Sequence, residues 1–277
     1  MFTEQALLAF IKKNLAEMPL NRMRGKDLEG ETIWDLPVAG FAAADDALFS
    51  FYKTDIGPFY WLPDEAFSLQ YPEHDQSSLT VLSLAFPHTS ATLAAQRVSR
   101  LYPSDRWQYS RQYWPDFMAD MSDRLIAWLA EQGIRGVDPE RLPQFQWQTS
   151  GQYGYASNWS QRHTAYVCGL GTFSLSDGLI TEKGKAVRFM SLILEGTIKP
   201  TVRAYSHYQE WCLFFKDGSC NQCIRRCPAG AISETGHDKA LCAAYGRTIR
   251  EKCKPEPNRT VGCGLCQAGV PCEHRRP

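Results

Sequence analysis

The sequence predicts an α+β protein in two parts, an N-terminal α/β domain over residues 1–199 and a smaller cysteine-rich domain over 200–277. Three observations predict it. In the first 199 residues, apolar side chains recur at helical spacing in some stretches and form short continuous runs in others, the signature of amphipathic helices mixed with buried strands. Near residue 200 the composition turns from core-like to cysteine-rich. From there on, nine of the ten cysteines lie between Cys212 and Cys272. A chain of 277 residues allows one large domain or two ordinary ones. Its 44% hydrophobic content is that of a globular protein.

The elements follow in order. Residues 4–18 predict an amphipathic helix, because Leu7, Phe10, Ile11, Leu15 and Met18 share one face. Residues 36–43 read as a short buried strand before Asp45 and Asp46. Residues 47–78 are aromatic-rich and read as irregular, a loop packed on the core or a wrap for a large flat cofactor. Leu79–Phe86 is a continuous apolar strand stopped by Pro87. Residues 90–101 read as helical. A longer helix is expected from Pro115 to Gln132, with Phe117, Met121, Leu125 and Leu129 at spacing four and Gly133 at its end. Residues 143–149 predict a strand, and the small-residue and aromatic stretch 150–160 a loop. Ser160–Cys168 reads as a helix closed by Gly169, and 178–194 as a hairpin about Lys183 and Gly184.

The cysteine segment carries the chemistry. Its core is Cys220-x2-Cys223-x3-Cys227-Pro228, the second half of the bacterial ferredoxin run, in which the cysteine before proline ligates the other of two clusters. On this pattern Cys227 is expected to start a helix, with Pro228 in its first turn. The first cysteine of the run would fall at 217, where Asp217 stands, and Cys212 is the natural replacement, with Asp217 as a possible oxygen ligand. Two 4Fe–4S clusters are therefore expected. One takes Cys212, Cys220, Cys223 and Cys272; the other takes Cys227, Cys242, Cys263 and Cys266. Cys253 rivals Cys242. If the segment between them is helical, they lie on one face but about 16 Å apart, too far to share a cluster. Paired Cys-x2-Cys motifs also make zinc sites, but zinc gives no reason for the Cys-x3-Cys-Pro element. Disulfides lack a secretory context.

Formal net charge is zero, which makes nucleic acid an unlikely main partner. Residues 200–277 carry 12 Lys+Arg against 7 Asp+Glu, and the remainder 18 against 23. The basic excess is read as an offset to thiolate-bound clusters. No apolar run reaches membrane-spanning length. The N-terminus has an apolar run of only Ala6–Phe10, with no signal-peptide pattern, so a cytoplasmic location is expected.

Taken together, the stretch RHTAYVCGLGTFSLSDGLIT (162–181) and the cysteine pattern resemble the cobalamin-dependent epoxyqueuosine reductase and reductive dehalogenase group. Weaker echoes cover VAGFAAAD (38–45), SSLTVLSLAFP (77–87) and the 115–133 helix. The resemblance implies a nitroreductase-like N-terminal domain that binds a corrinoid (cobalamin) base-off, beside a ferredoxin-like domain with the two clusters. The absence of an Asp-x-His-x-x-Gly motif agrees with a cobalt lacking a protein ligand. Matching positions imply that Gly169, Gly171, Ser176 and Leu179 line the corrinoid. Cys242-Ala-Ala-Tyr245 matches the family's mid-segment cysteine, which favours Cys242 over Cys253. The family's proton-donating aspartate falls by spacing near Tyr155, and no acidic residue lies between Glu140 and Asp177. Tyr155 is therefore the candidate acid, with Tyr153 and His163 as alternatives. The sequence ends five residues after Cys272, without the family's C-terminal helical repeats, so a shorter relative is expected.

The reading this supports is a soluble reductase. An external low-potential donor of the ferredoxin or flavodoxin type would feed two clusters, which pass electrons to a corrinoid that reduces a small organic substrate. The rival is a dicluster electron carrier or a cobalamin-handling protein without substrate chemistry, and a polar group aimed into a pocket above the corrinoid would separate them. A zinc-stabilised binding module is the third reading.

Overall fold

The computed structural model describes residues 3–24, 27–75, 78–254, 257 and 259–277. Met1, Phe2 and Ser77, which entered the readings of the N-terminus and of 77–87, lie outside them.

Helix α1 (Glu4–Glu17) starts where the Thr3 hydroxyl accepts the Ala6 N–H at 3.1 Å, satisfying one of the donors that a helix start leaves open. It buries Leu7, Ile11 and Leu15, one face at the expected spacing. Strand β1 (Val38–Ala43) follows, then α2 (Ala47–Asp55), capped by Asp46, and α3 (Pro63–Ser68). These two short helices occupy the stretch expected to be irregular. Asp46 and Pro63 are the start signals, obscured in sequence by aromatic residues on every side.

Strand β2 (Leu79–Pro87) is buried along its whole length. Helix α4 (Ser90–Val98) precedes α5 (Asp105–Ala130), which begins ten residues before the expected start at Pro115. A proline inside a helix leaves the carbonyl four residues earlier without its N–H partner. Here that carbonyl belongs to Arg111, and it accepts the Thr260 hydroxyl at 3.1 Å. The helix runs through Pro115 because the cysteine segment supplies the missing donor.

Strands β3 (Gly136–Val137), β4 (Trp147–Ser150) and β5 (Gly154–Ser157) come next, then α6 (Gln161–Val167), β6 (Gly171–Phe173), β7 (Leu179–Thr181) and β8 (Val187–Glu195). β4 overlaps the strand expected at 143–149, and β5 pairs with it as a hairpin where a loop was expected. β7 pairs with β6 rather than with β8, and β8 instead enters the main sheet. So 178–194 is no simple hairpin, although Lys183 and Gly184 do form its turn. Gly184 faces the Glu273 backbone so closely that a Cβ would stand 2.3 Å from the carbonyl oxygen.

The sheet has the order β1-β2-β8-β3, antiparallel throughout. Leu82, Leu84, Phe86, Met190, Leu192 and Leu194 point to one face, where α1 and α5 cover them. Val81 and Ile193 point to the other, against Phe49, Phe67, Trp159 and Val167. Burial on both faces explains why β2 reads as a continuous apolar run.

In the cysteine segment, α7 (Leu213–Asp217) and α8 (Gln222–Arg226) are single turns. β9 (Ile232–Ser233) and β10 (Gly236–His237) form a small ribbon before α9 (Lys239–Cys253). This segment has no free linker to the first part. Thr201 Oγ1 accepts the Phe41 N–H at 3.0 Å, and Thr172 Oγ1 accepts that of Trp211 at 2.9 Å. Gln96 and Gln108 donate to the carbonyls of Cys263 and Gly262 at 3.0 and 2.9 Å.

Gly171 offers a direct test of the β6–β7 pairing. A Cβ there would stand 1.8 Å from the Ile180 carbonyl oxygen, so Gly171→Ala is expected to destabilise the chain by about 3 kcal/mol or more. Gly151→Ala, with nothing within 4 Å, is the control. Urea midpoints of the two variants check this; equal midpoints would contradict it.

Candidate functional site

The site is built from cysteines delivered by four separate pieces of chain. Cys212 is the N-cap of α7, and its carbonyl accepts the N–H groups of Phe215 and Lys216 at 3.0 and 2.9 Å. Asp217, at the end of that turn, is spent on another job: its carboxylate accepts the Ser219 N–H at 2.9 Å, which holds its pKa below the usual value. Cys223 lies in α8. Cys272 is held by the Gly184 turn, with Lys185 N–H donating to its carbonyl at 2.8 Å. Together Cys212, Cys220, Cys223 and Cys272 line one cavity, and Asp217 is not among its walls. Cys212, Cys223 and Cys272 are only 7, 7 and 9% exposed.

The other cysteines gather beside this cavity. The thiols acting on Cys263 are those of Cys266, Cys242 and Cys227. Cys266 likewise senses Cys242 and Cys227. Cys227 caps the end of α8 rather than starting a helix, and Pro228 follows the helix instead of opening one. Its sulfur accepts the Ala231 N–H at 3.3 Å, the kind of bond that sets cluster potentials. Cys242 sits in the first turn of α9 and Cys253 at its last residue, and the charges near Cys253 are Asp105 and Lys252 rather than other thiols. Cys168 is remote, buried, and donates to the Val81 carbonyl. All ten cysteines are free.

Burial pushes the Cys223 thiol up to about 11 and that of Cys263 up to about 12, and neighbouring thiols add to both shifts. Four such thiolates are tolerable together only around a cationic centre, because buried like charges disfavour ionisation. Among the described residues no three His, Cys, Asp or Glu side chains converge as ligands of a single ion. An iron–sulfur cube takes one thiolate on each of four irons, so its ligands stand apart around a volume, as the cavity-lining thiols do. The donor set fits a cluster. Lys185 fits it as well. It is 3% exposed, its Nζ donates to Ser176 Oγ at 3.0 Å, and burial alone would lower its pKa. The thiolates of Cys272, Cys266, Cys223 and Cys212 outweigh that and raise it.

The residues expected to line a corrinoid have local structural roles. Gly169 ends α6 at φ +78°, with Thr201 packed against it. Gly171 abuts Ile180, Leu179 is buried in the core, and Ser176 faces Lys185. Gly171 and Leu179 have no free face for a ligand. Tyr155 is 65% exposed and stacks on Trp147 at 5.0 Å, so it is no buried acid. The Tyr153 hydroxyl donates to Asp55 at 2.7 Å, and burial with that carboxylate pushes its pKa up to about 12. His163 bonds Ser160 at 2.7 Å; burial and the charges of Arg162 and Lys239 push it down to about 3. It is neutral at pH 7 and holds no proton to give as a cation.

One acid escaped the sequence reading. Glu140 follows β3 in the turn Pro139–Arg141, and burial, with Asp138 nearby, pushes its carboxyl up to about 8 against the pull of Gln161 and Arg111. It is protonated at neutral pH while keeping some solvent contact. Arg111 senses both Glu140 and Tyr155, so Glu140 stands on the side of the molecule where the family's acid was sought. Only its place fifteen residues before Tyr155 hid it. On the cluster side, His237 bonds Asp177 Oδ2 at 2.9 Å and lies against Cys242, which together hold its pKa up to about 9. That links the 174–178 turn to the second group of cysteines.

Glu140 makes a pH prediction. Its folded pKa is raised above 4.5 to about 8, so its contribution is fully present below pH 4.5 and is lost as pH rises through about 8. Glu140→Gln is expected to flatten the decline in stability over that window by up to about 3 kcal/mol, less where solvent screens the carboxylate. Urea unfolding at pH 5 and pH 8 checks it; an unchanged pH dependence would contradict it.

No protein-family model matches the chain, and no curated protein matches it. Solved structures do. An epoxyqueuosine reductase from Bacillus subtilis, with its catalytic loop swung out of the active site, aligns at TM-score 0.50 and 18% identity over 97% of this chain and 65% of its own. That from Streptococcus thermophilus aligns at 0.53 and 14%, over 100% of this chain and 68% of its own. A catabolic reductive dehalogenase in complex with 3-bromo-4-hydroxybenzoic acid aligns at 0.50 and 12%, over 98% and 37%. The chain thus spans about two thirds of the length of those reductases. No described helix is long and apolar enough to cross a membrane. At these identities the likeness is one of architecture: this chain is built on the fold of the epoxyqueuosine reductases and reductive dehalogenases.

Proposed function

We propose that the chain is a cobalamin-dependent iron–sulfur reductase acting on a small organic substrate. The observation that carries the reading is the division of eight cysteines into two groups of four, on a fold shared with reductases. Cys212, Cys220, Cys223 and Cys272 would hold one 4Fe–4S cluster, and Cys227, Cys242, Cys263 and Cys266 the other. When bound, the clusters supply low-potential one-electron transfer and the corrinoid a cobalt centre able to accept those electrons.

The chain's own residues do the rest. Lys185 offsets negative charge between the two cysteine groups. The Ala231 N–H and His237 hydrogen-bond or abut ligand sulfurs of the second group, which tunes a cluster through its surroundings. Glu140, rather than Tyr155, holds the proton to be delivered, since its carboxyl is neutral at pH 7 and lies near Arg111. The electron donor is expected to be an external ferredoxin or flavodoxin. Zero net charge is no ground for excluding nucleic acid, because a local basic face suffices to bind it, and an epoxyqueuosine reductase has been solved with a tRNA stem loop.

The test is a titration of iron-loaded protein with cobalamin, followed by anaerobic reduction of the clusters. The reading predicts saturable binding and reduction of the bound cobalt. Fully iron-loaded protein that binds no cobalamin would instead favour the electron carrier.

A further inference from the structure

The main sheet is incomplete on one side. β3 pairs with β8 only at Ile193 and Leu194, so among the described residues β8 has no strand neighbour there from Val187 to Leu192. Polar side chains from four elements meet near this open edge. Arg188 lies on β8, on the face that carries Met190 toward α5. Arg111 comes from α5, one turn before Pro115. Gln161 and Arg162 open α6, and Glu140 sits in the turn after β3.

These groups satisfy one another only in part. Arg188 senses the charge of Arg111, and both sense that of Arg162. Among the described residues none of the three makes an ion pair; Arg162 gives one N–H to the Asp177 carbonyl at 3.1 Å. Arg188 Nε is buried without a hydrogen-bond partner, and so are both polar atoms of the Gln161 amide, although it lies beside Glu140. Arg111, Arg188, Gln161 and Glu140 all retain some solvent contact, while burial dominates the shifts of the two arginines and the glutamate. Such residues sit at the margin of the core rather than deep within it.

We infer that Arg111, Arg188 and Arg162, with Gln161 and Glu140, form a binding site for an oxyanion, a carboxylate or phosphate group carried by a small ligand. Guanidinium groups stay charged in proteins, so desolvating them side by side is costly until an anion joins them. Their planar forks match the paired oxygens of carboxylate and phosphate. The Gln161 amide supplies a further donor. Glu140, neutral at pH 7, offers an O–H in place of a competing charge. The inference rests on the proposed function for the identity of the ligand but not for the existence of the site. Two sources share the chemistry: the phosphodiester in the nucleotide tail of cobalamin, and an acidic group on the substrate.

The experiment uses the full iron-loaded chain and calorimetry with four probes: inorganic phosphate, benzoate, cobalamin, and cobinamide, which lacks the nucleotide tail. Arg188→Met removes the buried guanidinium. Arg162→Gln, at an exposed position, covers the case in which Arg188→Met does not fold. Phosphate or benzoate is expected to bind wild type saturably and each variant at least about tenfold more weakly, with iron content unchanged. If the variants also lose affinity for cobalamin but not for cobinamide, the anion is the tail phosphodiester. If both corrinoids bind as in wild type, it is the substrate's. Either supports the site. Wild type that binds phosphate but neither corrinoid leaves the site standing and overturns the proposed function. Absence of phosphate and benzoate binding to wild type, or binding that both folded variants retain unchanged, overturns the site.

Discussion

Replacing Cys223 with serine is expected to remove about half of the iron from the reconstituted protein, while Cys253→Ser leaves it near the wild-type level. Cys223 is buried, lines the cavity with Cys212, Cys220 and Cys272, and lies on the single turn that ends at Cys227. A serine hydroxyl is a far weaker ligand to iron than a thiolate, and the remaining three thiols would stay protonated in a buried site. Cys242→Ser is expected to behave like Cys223→Ser, with loss from the other cluster. Cys253, at the far end of α9 from Cys242, has Asp105 and Lys252 as its charged neighbours and should be silent. Iron assays on variants matched for circular dichroism decide it. Full iron in Cys242→Ser with half in Cys253→Ser would overturn the assignment.

Lys185→Met is expected to lower the midpoint potential of a cluster by on the order of 100 mV, a one-electron shift of about 2 kcal/mol. The ammonium is buried among thiolates from both cysteine groups and is tied to Ser176. A positive charge stabilises the reduced, more negative cluster, and burial weakens the solvent screening that would mute it. Lys185→Arg keeps the charge and should keep most of the potential. Potentiometric titration followed by EPR measures both. A Lys185→Met potential equal to wild type would show that the ammonium is not where the clusters sense it.

Much of this was legible in the sequence. The cysteine spacing suggested two groups because the Cys-x2-Cys spacing is local, but the direction expected of Cys-x3-Cys-Pro was not the one found: Cys227 ends α8 instead of starting a helix. Spacing alone left both Cys212 and Asp217 open as ligands, and the Ser219 N–H is what occupies that aspartate. The core strands were legible because burial on both faces leaves continuous apolar runs. The start of α5 was not, because the donor that lets it pass Pro115 is Thr260, 149 residues from Arg111. The polar cluster was hidden for the same reason. Arg111, Glu140, Arg162 and Arg188 are unremarkable singly and meet only through tertiary contacts. Gly171 showed the opposite failure, since a glycine needed for strand pairing looks the same in sequence as one that makes room for a ligand.

The most direct test of the central claim is the iron and acid-labile sulfide content of the anaerobically reconstituted full chain. Two clusters on eight cysteines predict about eight of each per chain. Stoichiometric zinc without sulfide would contradict the account.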